Sequence, residues 1–235
     1  MKLPPRSSRV VFAVASLLWG GASFLGAPVA VRPDPVGPEI TDHYRTMVRY
    51  HGRLDGNVPD RAVVFIGDSL TQGLCTEAVA CPSVNYGIGS DTTVGVLGRM
   101  ALYQHSLKRA SAVVLAIGVN DLMFRDNAAI VTHYGRILRE LPAGVRVVCS
   151  ALLPIHEGIY RPNPAVTNAR IRELNSALKA LCADDHRCVF VDPRSGLTDP
   201  EGQLRRELQD GDGIHLNAAG NQVWIESLRA GLQTR

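Results

Sequence analysis

The sequence predicts an α/β protein: a three-layer α/β/α sandwich around a mostly parallel, five-stranded sheet. Short apolar runs rich in β-branched residues alternate along the chain with amphipathic helical stretches, the pattern of strands joined by crossover helices. The runs are apolar at consecutive positions rather than at every second one, as strands covered on both faces are. A chain of 235 residues, 46% hydrophobic and 20% charged, is long enough for one sizeable core and ordinary in composition for a globular protein.

The amino terminus has a separate character. Lys2, Arg6 and Arg9 precede a charge-free stretch from Val10 to Ala30, whose second half is crowded with the small residues Gly20, Gly21, Ala22, Ser23, Gly26 and Ala27. This is the layout of an export signal. Residues 10–30 are also about as long as a membrane-spanning helix, so residues 1–31 read as a signal peptide or an uncleaved membrane tether, with cleavage favoured. No cysteine follows closely, which argues against a lipoprotein. RPDPVGP, residues 32–38, is too rich in proline for a helix or a central strand and reads as a linker. Residues 39–235 form the folded domain.

Within that domain a helix is expected from about Glu39 to Tyr50, with Thr41 or Asp42 near its start. The first strand, Ala62 to Ile66, stops at Gly67. This leaves Asp68 and Ser69 at the carboxyl edge of the sheet, where open α/β sheets place their ligands. Further strands are expected near Val84 to Tyr86, at Ala112 to Ile117, at Val145 to Ala151 and at Val189 to Val191. Helices fall near Thr92 to Leu107, Asn127 to Leu141, Val166 to Ala183 and Ala218 to Gly231. Ile130, Tyr134, Ile137, Leu138 and Leu141 share one helical face, as do Ile171, Leu174, Leu178 and Leu181. Leu153 to Pro164 is a long loop interrupted by prolines at the carboxyl edge, a candidate wall of the substrate site.

A formal charge of +3 is mild, and no basic run interleaved with aromatics suggests a nucleic-acid partner. Cys75 and Cys81 bracket one short loop, Cys182 and Cys188 another, while Cys149 lies in an apolar strand. Two local disulfides and one buried thiol are the simplest assignment for an exported protein. Neither pair has a histidine at ligand spacing, so a metal site is not expected.

Four stretches carry chemistry: GDSL at 67–70, VNYGIGSDTT at 84–93, AIGVNDLM at 116–123 and DGDGIHLNAAG at 210–220. A serine hydroxyl needs a base to take its proton, and the base needs an orienting partner. Asp212 and His215, three residues apart, can share a face, with the carboxylate on Nδ1 and Nε2 directed at Ser69. The serine is not in a Gly-x-Ser-x-Gly elbow, which disfavours the α/β-hydrolase fold.

In this order and spacing the four stretches resemble the signature blocks of the SGNH (GDSL) hydrolase superfamily, over roughly residues 60–232. They look most like its platelet-activating-factor acetylhydrolase-like and small bacterial esterase branches. The resemblance implies a flavodoxin-like sheet and a serine esterase that cleaves short acyl esters or thioesters through an acyl-enzyme on Ser69. No metal and no organic cofactor is implied; the partner is a small-molecule or carbohydrate ester. It implies an oxyanion hole from the Ser69 N–H, a backbone N–H of the second block and the Asn120 side-chain amide. Each such donor contributes about 3 to 4 kcal/mol. Where the family has glycine before the aspartate of that block, this chain has Ser90. By register the donor is Ser90, with Gly89 the alternative. Two rivals remain: an O-acyltransferase to a carbohydrate hydroxyl using the same triad, and a non-catalytic carbohydrate-binding protein.

Asp68 and Asp121 are expected to brace their own loops, and Asp192 to end a strand. His133, His156 and His186 are expected at the surface, and Trp224 in the core.

Overall fold

The computed structural model describes residues 40–160 and 162–234, so the expected signal, tether and linker on residues 1–38 lie outside the described residues. The chain opens with α1, Asp42–Asp55, capped by the Thr41 hydroxyl, which accepts the Tyr44 N–H. It runs five residues past the expected Tyr50 because its last turn carries His51 and Asp55 into the interior. The strands are β1 Val63–Gly67, β2 Ser83–Gly87, β3 Ala112–Ala116, β4 Arg146–Ser150 and β5 Cys188–Val191, in the spatial order β2-β1-β3-β4-β5. All five are parallel, so the sheet is more uniform than the mostly parallel one expected.

Between β1 and β2 lies α2, Ser69–Gln72. The single helix expected over Thr92 to Leu107 is broken. It comprises α3, Thr93–Arg99, a 3-10 turn at Met100–Tyr103 and α4, Gln104–Arg109. Two glycines weaken it, and Gly95 is required where it stands: a Cβ there would fall 1.9 Å from the Asp91 carboxylate. The remaining helices are α5 Asn127–Glu140, α6 Asn168–Ala183, α7 Arg194–Leu197 and α8 Ala218–Gln233.

Alternate strand residues pack to opposite faces, as a two-residue side-chain period requires. Val64, Ile66, Val113, Leu115 and Val147 meet the helical face formed by Val96, Ile130, Ile137, Ile171 and Leu178. Phe65, Val114 and Val148 meet Leu197, Trp224 and Leu228 on the other side. These are the three layers the sequence predicts. Trp224 is core as expected, and its indole N–H donates to the Ser150 hydroxyl at 3.0 Å.

Cys182 and Cys188 form a disulfide, but the second expected bridge is absent: Cys75 and Cys81 are free and exposed, and Cys149 is a buried thiol. Hydrogen bonds close the 75–81 loop instead. The Ser83 hydroxyl donates to Thr76 at 2.9 Å, and the Asn85 amide donates to the carbonyls of Thr71 and Leu74.

Candidate active site

The strand order reverses direction at β1, whose neighbours are β2 on one side and β3 on the other. Such a reversal opens a crevice at the carboxyl ends of the strands. Ser69 follows β1 and Asn120 follows β3, so the topology puts both at that edge.

Asp68 caps α2 through its Oδ1, which accepts the Leu70 N–H at 3.0 Å, and this sets Ser69 as the first helical residue. The Asp68 side chain is shut off from solvent, beside a cavity of about 10 Å3 that Ala116, Leu152 and Trp224 also line. Burial pushes its carboxyl up to about 7. The brace expected of Asp68 is local, as read from sequence.

From the far end of the chain comes a turn built to hold an acid and a base. The Gln209 side-chain oxygen accepts the N–H groups of Gly211 and Gly213, and Asp212 Oδ1 accepts those of Ile214 and His215. Asp212 Oδ2 is left for His215 Nδ1, at 2.5 Å, and His215 Nε2 lies 2.8 Å from Ser69 Oγ. The carboxylate therefore fixes the tautomer with the proton on Nδ1, leaving Nε2 to accept the serine proton. Burial works to raise the Asp212 carboxyl, but the His215 side chain and the two backbone N–H groups hold it below the usual carboxylate range.

His156 to Tyr160, within the expected wall, clamp this turn. The His156 N–H donates to the Gly213 carbonyl at 2.7 Å, and a Cβ on Gly213 would come within 2.7 Å of the Tyr160 nitrogen and 3.0 Å of the His156 carbonyl. Gly213 also has φ +83°, where glycine is favoured. His156 was expected at the surface; it is 9% exposed, because its own backbone bonds draw it under the loop.

The second block forms the loop after β2. Ser90, which stands where the resemblance implies a glycine, has φ +64°, a left-handed conformation that favours glycine. The Gly89 N–H is already spent on the Gln72 side-chain oxygen at 2.5 Å. Among the described residues nothing accepts the Ser90 N–H. One Asn120 amide hydrogen donates to the Asp91 carbonyl at 3.0 Å, which orients the other.

Behind this loop sits a group the sequence reading missed. Arg99 is wholly buried and donates to the Asp91 carboxylate, the carbonyls of Tyr86 and Gly67, and the Tyr103 hydroxyl. It ties the ends of β1 and β2 to the residue whose carbonyl orients Asn120. A lone arginine among Val94, Val96, Leu97 and Met100 was the available signal. Asp121 also reaches beyond its own loop: it accepts the Thr93 N–H and hydroxyl and pairs with Arg125. His133, expected at the surface, is half-buried with Nδ1 2.8 Å from the Thr93 hydroxyl.

A flavodoxin-like sheet with a serine, histidine and aspartate hydrogen-bonded in series at its carboxyl edge is the arrangement of a serine hydrolase. The model of the GDSL-like lipase/acylhydrolase family matches residues 65–223, and the chain belongs to that family. It is 28% identical over 204 residues to rat platelet-activating factor acetylhydrolase IB subunit alpha1, covering 83% of this chain and 85% of the relative. The orangutan protein of the same description is 30% identical over 203 residues, covering 81% and 84%. Among solved structures, one from Streptococcus pneumonia has a TM-score of 0.75 at 24% identity, covering 81% of this chain and 92% of that one. A GDSL-like lipase from Bacteroides thetaiotaomicron has a TM-score of 0.66 at 16% identity, covering 81% and 98%. At these identities the structural likeness speaks for the fold.

Proposed function

We propose that this protein is an exported esterase that cleaves short acyl esters through an acyl-enzyme on Ser69. His215 Nε2 takes the hydroxyl proton as Ser69 Oγ bonds to the acyl carbonyl carbon, and Asp212 steadies the imidazolium that forms. The proton then passes to the departing alkoxide. Water, deprotonated by the same nitrogen, releases the acid and restores the serine. Negative charge on the carbonyl oxygen is met by the N–H groups of Ser69 and Ser90 and the second amide hydrogen of Asn120.

The observation that carries this reading is the series itself: 2.5 Å from Asp212 to His215 and 2.8 Å from His215 to Ser69. The preference for short acyl groups is supported by the likeness to acetylhydrolases. Export is supported by the signal-like residues 1–31 and by the Cys182–Cys188 disulfide, since such bonds persist in oxidising compartments.

The test is labelling by a fluorophosphonate together with hydrolysis of p-nitrophenyl acetate. Ser69→Ala is expected to abolish both while unfolding at the same urea concentration as the wild type. Label recovered on any other residue would sink the assignment. Turnover without an added acceptor separates hydrolysis from acyl transfer to a sugar hydroxyl.

A further inference from the structure

We propose that Gln72 is a positioning residue for the oxyanion hole, selecting which peptide N–H of the loop after β2 faces the substrate. The inference rests on the reading of Ser69 as nucleophile and assigns a role to a side chain outside the triad. Gln72 is the last residue of α2, three positions after Ser69, and its backbone N–H donates to the Asp68 carbonyl at 2.8 Å. Its side-chain oxygen accepts the Gly89 N–H at 2.5 Å, and His43 Nε2 lies 3.1 Å from the same oxygen. A backbone N–H can only donate, so the amide oxygen and not its nitrogen must face Gly89. With that oxygen accepting, His43 Nε2 must carry a proton.

Gly89 and Ser90 present adjacent N–H groups, and the family register left open which of them meets the substrate. Gln72 takes the first. The following residue turns to φ +64°, and its N–H has no acceptor among the described residues. The nucleophile helix thus fixes the register of the loop that stabilises the charge created by its own serine. Without the acceptor, the Gly89 N–H competes for the carbonyl oxygen and the peptide planes on either side lose their fixed orientation. Developing charge is felt in the transition state rather than on binding, so the effect falls on kcat.

The test compares Gln72→Met, which keeps length and removes the acceptor, with Gln72→Glu, which keeps an acceptor oxygen. With p-nitrophenyl acetate, Gln72→Met is expected to lower kcat about tenfold or more, with KM within about twofold and the same urea midpoint, below the 10²–10³ expected for loss of a whole donor. Gln72→Glu is expected to recover at least half of that kcat. The rate of fluorophosphonate labelling, which also places charge on an oxygen in the hole, should fall and recover in parallel. A Gln72→Met enzyme with kcat within twofold of wild type, or a loss that Gln72→Glu does not repair, would overturn the proposal while leaving Ser69 as nucleophile. A wild-type protein that the reagent never labels would overturn both.

Discussion

The guanidinium of Arg99 lies 2.8 Å from the Asp91 carboxylate, with both side chains closed to solvent. A buried pair gains little over apolar groups of the same shape, but removing one member strands the other's charge. Burial works to lower the basicity of Arg99, and Asp91 and Tyr103 more than restore it, so the guanidinium stays charged.

Arg99→Met is therefore expected to destabilise the protein by about 3 to 5 kcal/mol. The double variant Arg99→Met, Asp91→Asn should recover part of that loss, because no uncompensated charge remains. Urea unfolding of the wild type, both single variants and the double variant measures the coupling. An additive cycle would mean that the pair acts as two independent packing groups.

Ser90 occupies a left-handed conformation that costs a residue with a Cβ roughly 1 to 2 kcal/mol. Ser90→Gly relieves that strain but adds freedom to the unfolded chain worth about 0.4 to 1 kcal/mol, so a net gain between about 0 and 1.6 kcal/mol is expected. The donor is the backbone N–H, so kcat should stay within about threefold. A large loss of kcat would show that the serine hydroxyl takes part in the reaction.

Burial, and then the charge on Arg99, lower the His51 imidazole from 6.5 to about 4. The geometry agrees: the Tyr103 hydroxyl accepts from Arg99 and is left to donate to His51 Nδ1 at 3.1 Å, which requires a neutral ring. Because the folded-state value is depressed, the stabilisation is complete above pH 6.5 and is lost as pH falls from 6.5 towards 4. The loss over that window is on the order of 3 kcal/mol. Urea midpoints measured between pH 4 and 8 should fall steeply on the acid side, and His51→Gln, which cannot titrate, should flatten the fall. An unchanged acid slope in that variant would assign the loss to other groups.

The strands, most helices and the three residues that the fold brings into one hydrogen-bonded series were legible because each has a local signature. β-Branched runs, a 3.6-residue apolar period and Asp-x-x-His are all written in consecutive letters. The break in the helix after Thr92 was not, because it falls where Arg99 turns inward to partners on Asp91, Tyr86 and Gly67 that are distant from it in sequence. The bridge expected between Cys75 and Cys81 is not formed, and the contacts that hold that loop come from Ser83 and Asn85, which lie beyond the cysteines.

The sequence by itself determined the layer architecture and marked Ser69, Asp212 and His215 as candidates, since each depends on residue type and short spacing. Only the tertiary structure decided the rest: which face His156 turns to, where Arg99 finds its partners, and which N–H of the loop after β2 is left unspent. Those outcomes depend on groups far apart in the chain, such as Gln72 with Gly89 and Asn120 with Asp91. A loop donor is satisfied by whatever acceptor the fold brings within about 3 Å, and no local pattern encodes that neighbour.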